Sequence, residues 1–303
     1  MRYSGIGGQA VMEGVMMRNA DKYAVAVRKT DGEIVVKTEE YKGIVQNKKI
    51  RSLPIIRGVF SFIDSMVLGM STLTYSASFF MDEEEEEKDE KKESVMMGLT
   101  IACSVVMAVA IFMILPYFLS QLFRKFTDST TLITLLEGAV RLVIFFGYIL
   151  LISRMKDIQR VFMYHGAEHK CINCIEHGME LNVENVLKSS RLHKRCGTSF
   201  LFIVMIVSII FFLFIRIESP IWRVVFRLLL IPVIAGVSFE FIRLAGKSEN
   251  KLVILLSKPG MMLQKLTTRE PDASMAEVAI ASVEAVFDWR AYLKENFGWQ
   301  EKV

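Results

Sequence analysis

The sequence predicts a mainly α-helical, polytopic membrane protein. Its expected architecture is a bundle of four spans with one interfacial or re-entrant helix and a small cytoplasmic N-terminal unit that contains β-strands. The chain is 52% hydrophobic, and its apolar residues are gathered into runs long enough to cross a bilayer, which needs about 20 residues of helix. The residues before the first of these runs instead contain two β-rich stretches around a turn signal.

Residues 1–53 are expected to form the cytoplasmic β-containing unit. Two β-rich stretches, residues 23–29 and 33–38, flank the dipeptide Asp31-Gly32, which favours a two-residue hairpin. The preceding stretch GIGGQAVMEGVMMR is rich in glycine, but it has neither the Gly-Lys-Ser/Thr of a phosphate-binding loop nor the pattern GxGxxG. We therefore expect no nucleotide site in this unit.

Residues 54–94 combine an apolar segment with an acidic run. The apolar side chains of residues 55–80 recur at helical spacing, although the segment carries Arg57 and Asp64. A fifth span, a re-entrant helix and an interfacial helix all fit this pattern, and we expect one of the last two. The run MDEEEEEKDEKKE (81–93) is expected to be a solvated, disordered linker.

Four apolar runs are predicted to span the membrane. They cover roughly residues 95–119, 131–153, 199–217 and 221–245, which gives one helix pair over 95–153 and a second over 199–245. Lysines and arginines are concentrated in the 154–198 loop, whereas the 120–130 loop has only Arg124 and Lys125. The positive-inside rule therefore places the 154–198 loop and both termini in the cytoplasm.

The C-terminal tail, residues 246–303, is expected to carry an amphipathic helix over residues 274–286, capped by Asp272 or Ser274. The net charge is +4, and no cluster of basic residues is interleaved with aromatic residues. A nucleic-acid partner is therefore not expected, whereas the lipid bilayer is.

The 154–198 loop contains a motif that is typical of metal sites. In YHGAEHKCINC (164–174), His165 and His169 would share one face of a helix, and Glu168 beside them could activate water. His193 and Cys196, at an H-x-x-C spacing before the third span, are the candidates to complete the site. His and Cys ligands favour Zn²⁺.

A competing grouping uses the same loop for a structural metal site. Cys171 and Cys174 are followed, after eighteen residues, by His193 and Cys196, which is a four-ligand pattern of closed zinc sites. Glu176 lies on the helical face of the two histidines but about 10 Å along the axis from His169, so it is not expected to bind the same ion. Glu180 and Glu184 are the alternative carboxylates.

Charged residues also occur inside the predicted spans. Glu137 and Arg141 are four residues apart in the second span and would face each other, and Glu240 lies in the fourth span. Such residues face a bundle interior or a polar cavity. We expect an internal ion pair that fixes helix packing rather than a transport pathway.

Several separated motifs resemble one known family, the YqhQ-like bacterial membrane proteins of unknown function, which are often labelled predicted metal-dependent enzymes. The motifs are IGGQAVMEGVMMR, RGVFSFIDSMVLGMSTLTYSA, YHGAEHKCINC, RCGTSFL and PGMMLQKLTTREP. The resemblance implies a protein of the bacterial cytoplasmic membrane with a metal site. By this resemblance, the family's His-x-x-Glu-His motif corresponds to His165, Glu168 and His169. Its His-x-x-Cys-Gly-Thr motif corresponds to the residues from His193 to Thr198.

Two functional hypotheses follow. The first is a zinc-dependent membrane hydrolase, such as a peptidase, in which Glu168 is catalytic and His165, His169 and either His193 or Cys196 bind the metal. The second is a non-catalytic membrane factor that binds a translocation or membrane-assembly complex and whose loop is held together by a structural metal. A small transporter is the least supported alternative.

Overall fold

The computed structural model describes residues 2–80, 90–215, 217, 219–248 and 250–300. Most of the predicted acidic linker, residues 81–89, lies outside the described residues. Four strands come first: β1 Gly7–Val11, β2 Gly14–Asn19, β3 Lys22–Arg28 and β4 Ile34–Glu40. The helices are α1 Lys48–Ser52, α2 Ile56–Ala77, α3 Glu90–Val109, α4 Leu115–Gln121, α5 Thr130–Ile152, α6 Lys156–Glu176, α7 Val183–Lys188, α8 Gly197–Phe214, α9 Pro220–Lys247, α10 Lys251–Thr267, α11 Ala273–Glu284 and α12 Trp289–Phe297.

The chain divides into two compact units. One comprises Met1–Phe80, Ile152–Phe202 and Ala235–Val303, and the other comprises Met81–Leu151 and Ile203–Ile234. The first unit thus joins the N-terminal strands, the 154–198 loop and the tail. The second unit consists of helical segments from the predicted spans.

The N-terminal strands form one antiparallel sheet in the order β1-β2-β3-β4. The predicted hairpin is confirmed, because β3 pairs with β4 on either side of Asp31-Gly32. Strands β1 and β2 were not predicted, since glycine weakens a strand signal and three of the first eight residues are glycines. These two strands are joined by a two-residue turn in which Glu13 has a φ of 48°.

Both faces of the sheet are covered within the first unit. On one face, alternate residues of β2 and β3 pack with α6 and α11 in a core that includes Met17, Ala26, Tyr164, Ile172 and Met275. On the other face, the core consists of Val11, Met16, Tyr23, Val25, Val27 and Leu68, the last from α2. The alternation of side chains along a strand accounts for this division.

Helix α2 buries mostly small and polar residues, together with Leu68, on its inner side and exposes apolar residues on its outer side. Its Asp64 is buried, and Asp64 Oδ1 accepts hydrogen bonds from the Tyr41 hydroxyl at 3.1 Å and the Ile44 amide at 2.8 Å. These bonds satisfy the carboxylate and tie the chain after β4 to α2. Its exposed large apolar residues are Ile56, Ile63, Met66, Val67, Met70 and Leu73.

Five helical segments of the described residues are long and apolar enough to cross a membrane. They are Ile56–Phe80, Val95–Lys125, Thr130–Ile152, Gly197–Phe214 and Ile221–Gly246. The last four match the four predicted spans, and the first is the segment for which an interfacial or re-entrant helix is expected. The length and composition of these segments support a membrane protein. The number of segments that span the membrane stays a prediction.

A proline reshapes the second of these segments. Residues Ala110–Ile114 are π-helical directly before Pro116. Proline has no N–H, so Pro116 cannot donate to the carbonyl four residues earlier, that of Phe112. Arg141 Nε of α5 donates to this carbonyl at 2.9 Å and so replaces the missing donor.

Glu137, Arg141 and Arg227 form a buried charge cluster in the second unit. Glu137 Oε1 is 2.9 Å from Arg141 Nη2 and 2.5 Å from Arg227 Nη1, and Arg227 Nη2 is 2.9 Å from Glu137 Oε2. Arg141 also donates to Ser208 Oγ at 3.0 Å, and both guanidinium groups lie over the Phe212 ring. The Glu137–Arg141 pair was predicted from the sequence, whereas the contact of Glu137 with Arg227, a charged residue of the fourth predicted span, was not. Glu240 pairs instead with Arg57 of α2, in the first unit.

The predicted tail helix is confirmed as α11. Asp272 is its N-cap and accepts a hydrogen bond from the Met275 amide at 3.0 Å. Met275, Ala276, Val278, Ala279 and Val283 are fully buried on its inner side.

Candidate metal centre

Helix α6 carries the H-x-x-E-H motif, and buried polar side chains on it bind the segment that supplies the third ligand. Lys170 Nζ donates to the carbonyls of Leu187 and Ser189 at 2.7 and 2.8 Å. Asn173 Nδ2 donates to the carbonyl of Leu192 at 3.0 Å. These bonds hold residues 187–192 along α6 and direct the following residues back towards the histidines.

His165, His169 and Cys196 meet at one point. Each offers one ligand atom, and the three atoms lie within 4.8 Å of one another. Cys196 Sγ is 3.2 Å from His165 Nε2, and the two imidazole rings are 4.4 Å apart between centroids. His169 and Cys196 are buried, and His165 is half-buried.

Backbone carbonyls fix the orientation of both imidazoles. His165 Nδ1 lies 2.9 Å from the carbonyl oxygen of Thr267, and His169 Nδ1 lies 2.7 Å from that of Arg191. A carbonyl only accepts, so each Nδ1 carries a proton, and Nε2 is the nitrogen that faces the cluster and holds the lone pair of the neutral imidazole. The same outer contact orients histidine ligands in metalloproteins.

Helix α10 positions the segment that contains Cys196. Gln264 Oε1 accepts from the His193 amide at 2.8 Å, and Gln264 Nε2 donates to the His193 carbonyl at 2.6 Å and to Ser199 Oγ at 2.8 Å. The Thr198 amide donates to Cys196 Sγ at 3.4 Å, and the Thr198 hydroxyl is 3.0 Å from it. Gln264 therefore anchors the chain on both sides of Cys196, and Thr198 contacts the thiol itself.

The cluster favours the ionised thiol. Burial opposes ionisation of Cys196, but the adjacent His165 and His169 together outweigh it and hold the pKa of the thiol well below its usual range. Burial likewise opposes protonation of His165, yet Cys196 and Glu168 raise the pKa of that imidazole to about 9. The thiolate is the form of cysteine that binds metals.

Glu168 lies buried against the two imidazoles. Its Oε2 is 3.5 Å from His169 Nε2 and 4.0 Å from His165 Nε2. The nearby cations are paired with other carboxylates, Lys170 with Glu270 at 2.8 Å and Arg160 with Glu13. Glu168 therefore directs its negative charge into the cluster rather than into a surface ion pair.

His193 belongs to a neighbouring network. Its Nε2 is 3.5 Å from Glu176 Oε2, and Glu176 Oε1 also contacts Arg195 Nη2 at 2.5 Å and the Ser4 amide at 2.9 Å. Burial opposes ionisation of Glu176, but His193, Arg195 and Ser4 together lower its pKa to about 2. Of the two candidates for the third ligand, Cys196 has its sulfur within 4.8 Å of a ring nitrogen of each histidine. The His193 ring lies 5.7 Å from that of His169 between centroids, but its Nε2 contacts Glu176.

Cys171 and Cys174 lie in the apolar core between α6, the sheet and α11. Burial raises the pKa of Cys171 well above its usual range and that of Cys174 to about 12, so both are neutral thiols. Cys174 Sγ donates to the carbonyl of Glu180 at 3.3 Å. The structure does not bring this pair together with His193 and Cys196, and Glu184 is exposed and pairs with Lys188.

The chain after α10 crosses α6 closely at Gly166, and this crossing places the Thr267 carbonyl beside His165. The Arg269 amide donates to the Phe162 carbonyl at 2.8 Å, and a Cβ at Gly166 would collide with the Arg269 carbonyl oxygen. The chain after α10 can therefore approach α6 only at a residue without a side chain.

We expect Gly166→Ala to lower the free energy of unfolding by about 1–3 kcal/mol, because it overpacks this crossing. It should also weaken metal retention, since His165 loses its carbonyl partner. Thermal unfolding and metal content in detergent measure both effects. Gly147→Ala in α5 is the matched control, because its Cβ would enter open space. Equal stability of the two variants would contradict the crossing argument.

Comparison with known proteins agrees with the resemblance seen in the sequence. Residues 53–289 match the family described as a protein of unknown function, DUF1385. The chain is 36% identical over 301 residues to the uncharacterized protein YqhQ of Bacillus subtilis (strain 168), covering 96% of this chain and 94% of the relative. No solved structure is significantly similar to the chain.

Proposed function

The chain belongs to this family of unknown function, and we propose that it is a zinc-dependent membrane hydrolase, with a peptidase as the favoured type. The observation that carries the proposal is the convergence of His165, His169 and Cys196 next to the buried Glu168. Two imidazoles and a thiolate suit Zn²⁺, and three protein ligands are typical of catalytic rather than closed structural zinc sites.

Each residue has a distinct task in this proposal. His165 and His169 would bind the metal through Nε2, and Cys196 through its thiolate. Zinc, when bound, supplies a Lewis acid that polarises a carbonyl and lowers the pKa of water. The Glu168 carboxylate would accept a proton from the attacking water and pass it to the leaving group. The carbonyls of Thr267 and Arg191 would keep both imidazoles in the ligating tautomer.

We expect Glu168→Gln to keep zinc but lose hydrolysis by a factor of about 10²–10⁴, because the amide cannot act as a general base. The measurements are zinc content by elemental mass spectrometry and cleavage of a peptide library by the detergent-purified protein. Glu184→Gln is the control, since Glu184 is an exposed glutamate paired with Lys188. Undiminished cleavage by Glu168→Gln would refute the assignment of Glu168.

A non-catalytic membrane factor is the second candidate. Its support is the position of α6, which packs against the sheet, against α11 and against the segment that carries Cys196. A metal at this junction would hold the first unit together and present it to a membrane-protein complex. In that case Glu168→Gln would leave cellular function intact, whereas loss of the metal would unfold the unit.

The proposed location is the bacterial cytoplasmic membrane, with both termini and the metal centre on the cytoplasmic side. Four segments would span, and α2 would lie in the interface. Two observations support the interfacial position of α2. One side of α2 packs on the N-terminal sheet through Leu68, and its other side exposes apolar residues.

Topology can be tested with cysteines introduced at two exposed positions. Asp128→Cys, in the 120–130 loop, is expected to react with a membrane-impermeant thiol reagent in intact cells. Asp31→Cys, in the β-hairpin, is expected to react only after the cells are permeabilised. The unmodified protein gives the background from its own cysteines. Labelling of Asp31→Cys in intact cells would instead contradict the cytoplasmic placement of the sheet.

A further inference from the structure

A cleft of about 580 Å³ lies in the first unit, between the start of the chain and α2. The segment from Tyr3 to Gln9 forms one side of it, and Ser61, Asp64, Ser65 and Leu68 of α2 form another. Arg18, Arg51, Arg195 and Phe239 complete the lining together with Met16 and Ala20. The three candidate metal ligands are not among its lining residues.

The charge of the lining is basic. Three arginines face one carboxylate, Asp64, whose Oδ1 is already engaged by Tyr41 and Ile44. Arg18 donates to the carbonyls of Ala20 and Tyr41, at 2.8 and 3.3 Å. Arg51 donates to the carbonyl of Lys42 at 3.2 Å. Main-chain carbonyls orient these two guanidinium groups without neutralising their charge.

Arg195 adds a third guanidinium group to the lining of the same cleft. Its Nη2 contacts Glu176 Oε1 at 2.5 Å, and its guanidinium carbon lies 4.1 Å from the centre of the Tyr3 ring. Its Nη1 is buried and, among the described residues, has no hydrogen-bond acceptor.

We propose that this cleft binds a phosphate oxyanion, and that its source is the headgroup of an anionic phospholipid. The planar guanidinium fork matches the oxygens of a phosphate, which favours phosphate recognition by arginine-lined sites. The position of α2 favours the lipid as the source, because this helix lines the cleft on one side and exposes Ile63, Met66 and Met70 on another. A headgroup in the cleft would leave its acyl chains near that apolar surface. The site does not depend on the proposed hydrolase activity.

The test is native mass spectrometry of the full-length protein in detergent with added phosphatidylglycerol. Arg18→Gln/Arg51→Gln is expected to lower lipid binding by about tenfold or more, since two charge-assisted hydrogen bonds are lost. Arg195 is left intact because it also pairs with the buried Glu176. Arg290→Gln is the control, because Arg290 is an exposed arginine beside Trp289 and Glu284. Thermal unfolding is used to check that both variants remain folded.

Inorganic phosphate and phosphatidylcholine separate the sources of the oxyanion. Retention of phosphatidylglycerol against millimolar phosphate, with weak binding of phosphatidylcholine, supports the anionic lipid. If phosphate displaces the lipid, and phosphate binding itself requires Arg18 and Arg51, the cleft binds a phosphate oxyanion that is free in solution. That result would overturn the lipid as the source. Equal phosphatidylglycerol binding by the wild type and the folded Arg18→Gln/Arg51→Gln variant would overturn the proposal.

Discussion

Replacing Cys196 with serine is expected to remove stoichiometric zinc from the detergent-purified protein. The same result is expected for His165→Ala/His169→Ala. Serine at position 196 keeps the size of the side chain but cannot supply a thiolate at neutral pH, and thiolates suit Zn²⁺. Loss of even an outer partner of a metal ligand weakens binding by about 10- to 100-fold, so loss of a direct ligand should exceed about a hundredfold. Elemental mass spectrometry after dialysis measures the bound zinc.

Matched controls separate this site from the competing one. His177→Ala removes a histidine that caps the same helix, where its Nδ1 lies 2.7 Å from the Asn173 carbonyl oxygen. Cys174→Ser changes a neutral core thiol. Both variants are expected to keep zinc if they remain folded. Loss of zinc from folded Cys174→Ser and its retention in His165→Ala/His169→Ala would instead favour the four-ligand structural site, which shares only Cys196 with the proposed one.

The sequence could predict the two histidines because helix geometry is local. Residues four apart share one helical face, and α6 runs without a break from Lys156 to Glu176. The choice between His193 and Cys196 was not available from the sequence. It depends on how an irregular segment is oriented by Gln264, seventy-one residues away, and on which acidic group takes His193. Contacts of that kind have no periodic signature.

The fold shows the same division between local and distant information. The apolar runs and the turn at Asp31-Gly32 identify helices long and apolar enough to span a membrane and a hairpin, since each signal lies within one element. The packing of α6 and α11 on the sheet was not predicted. It joins residues that are more than two hundred positions apart, such as Ala24 and Ser282, whose hydroxyl donates to the Ala24 carbonyl at 3.0 Å.

Glu137→Gln is expected to destabilise the second unit strongly. The carboxylate of Glu137 contacts both Arg141 and Arg227, and all three side chains are almost fully buried. Removing the charge of Glu137 leaves two buried guanidinium groups without their carboxylate partner. Breaking a buried ion pair by removing one partner costs about 3–5 kcal/mol. Thermal unfolding in detergent, with the second unit followed by its tryptophan Trp222, measures the loss.

Glu240→Gln is the matched control, because it is the same substitution in another arginine pair of the apolar helices. Glu240 and Arg57 are about a quarter exposed, so their pair is expected to contribute only about 1 kcal/mol or less. Comparable loss of stability in the two variants would contradict the argument from burial. A double variant, Glu137→Gln/Arg227→Gln, should recover part of the loss, since it removes one of the two uncompensated charges. Such recovery would show that the charge imbalance, rather than the lost side-chain packing, causes the effect.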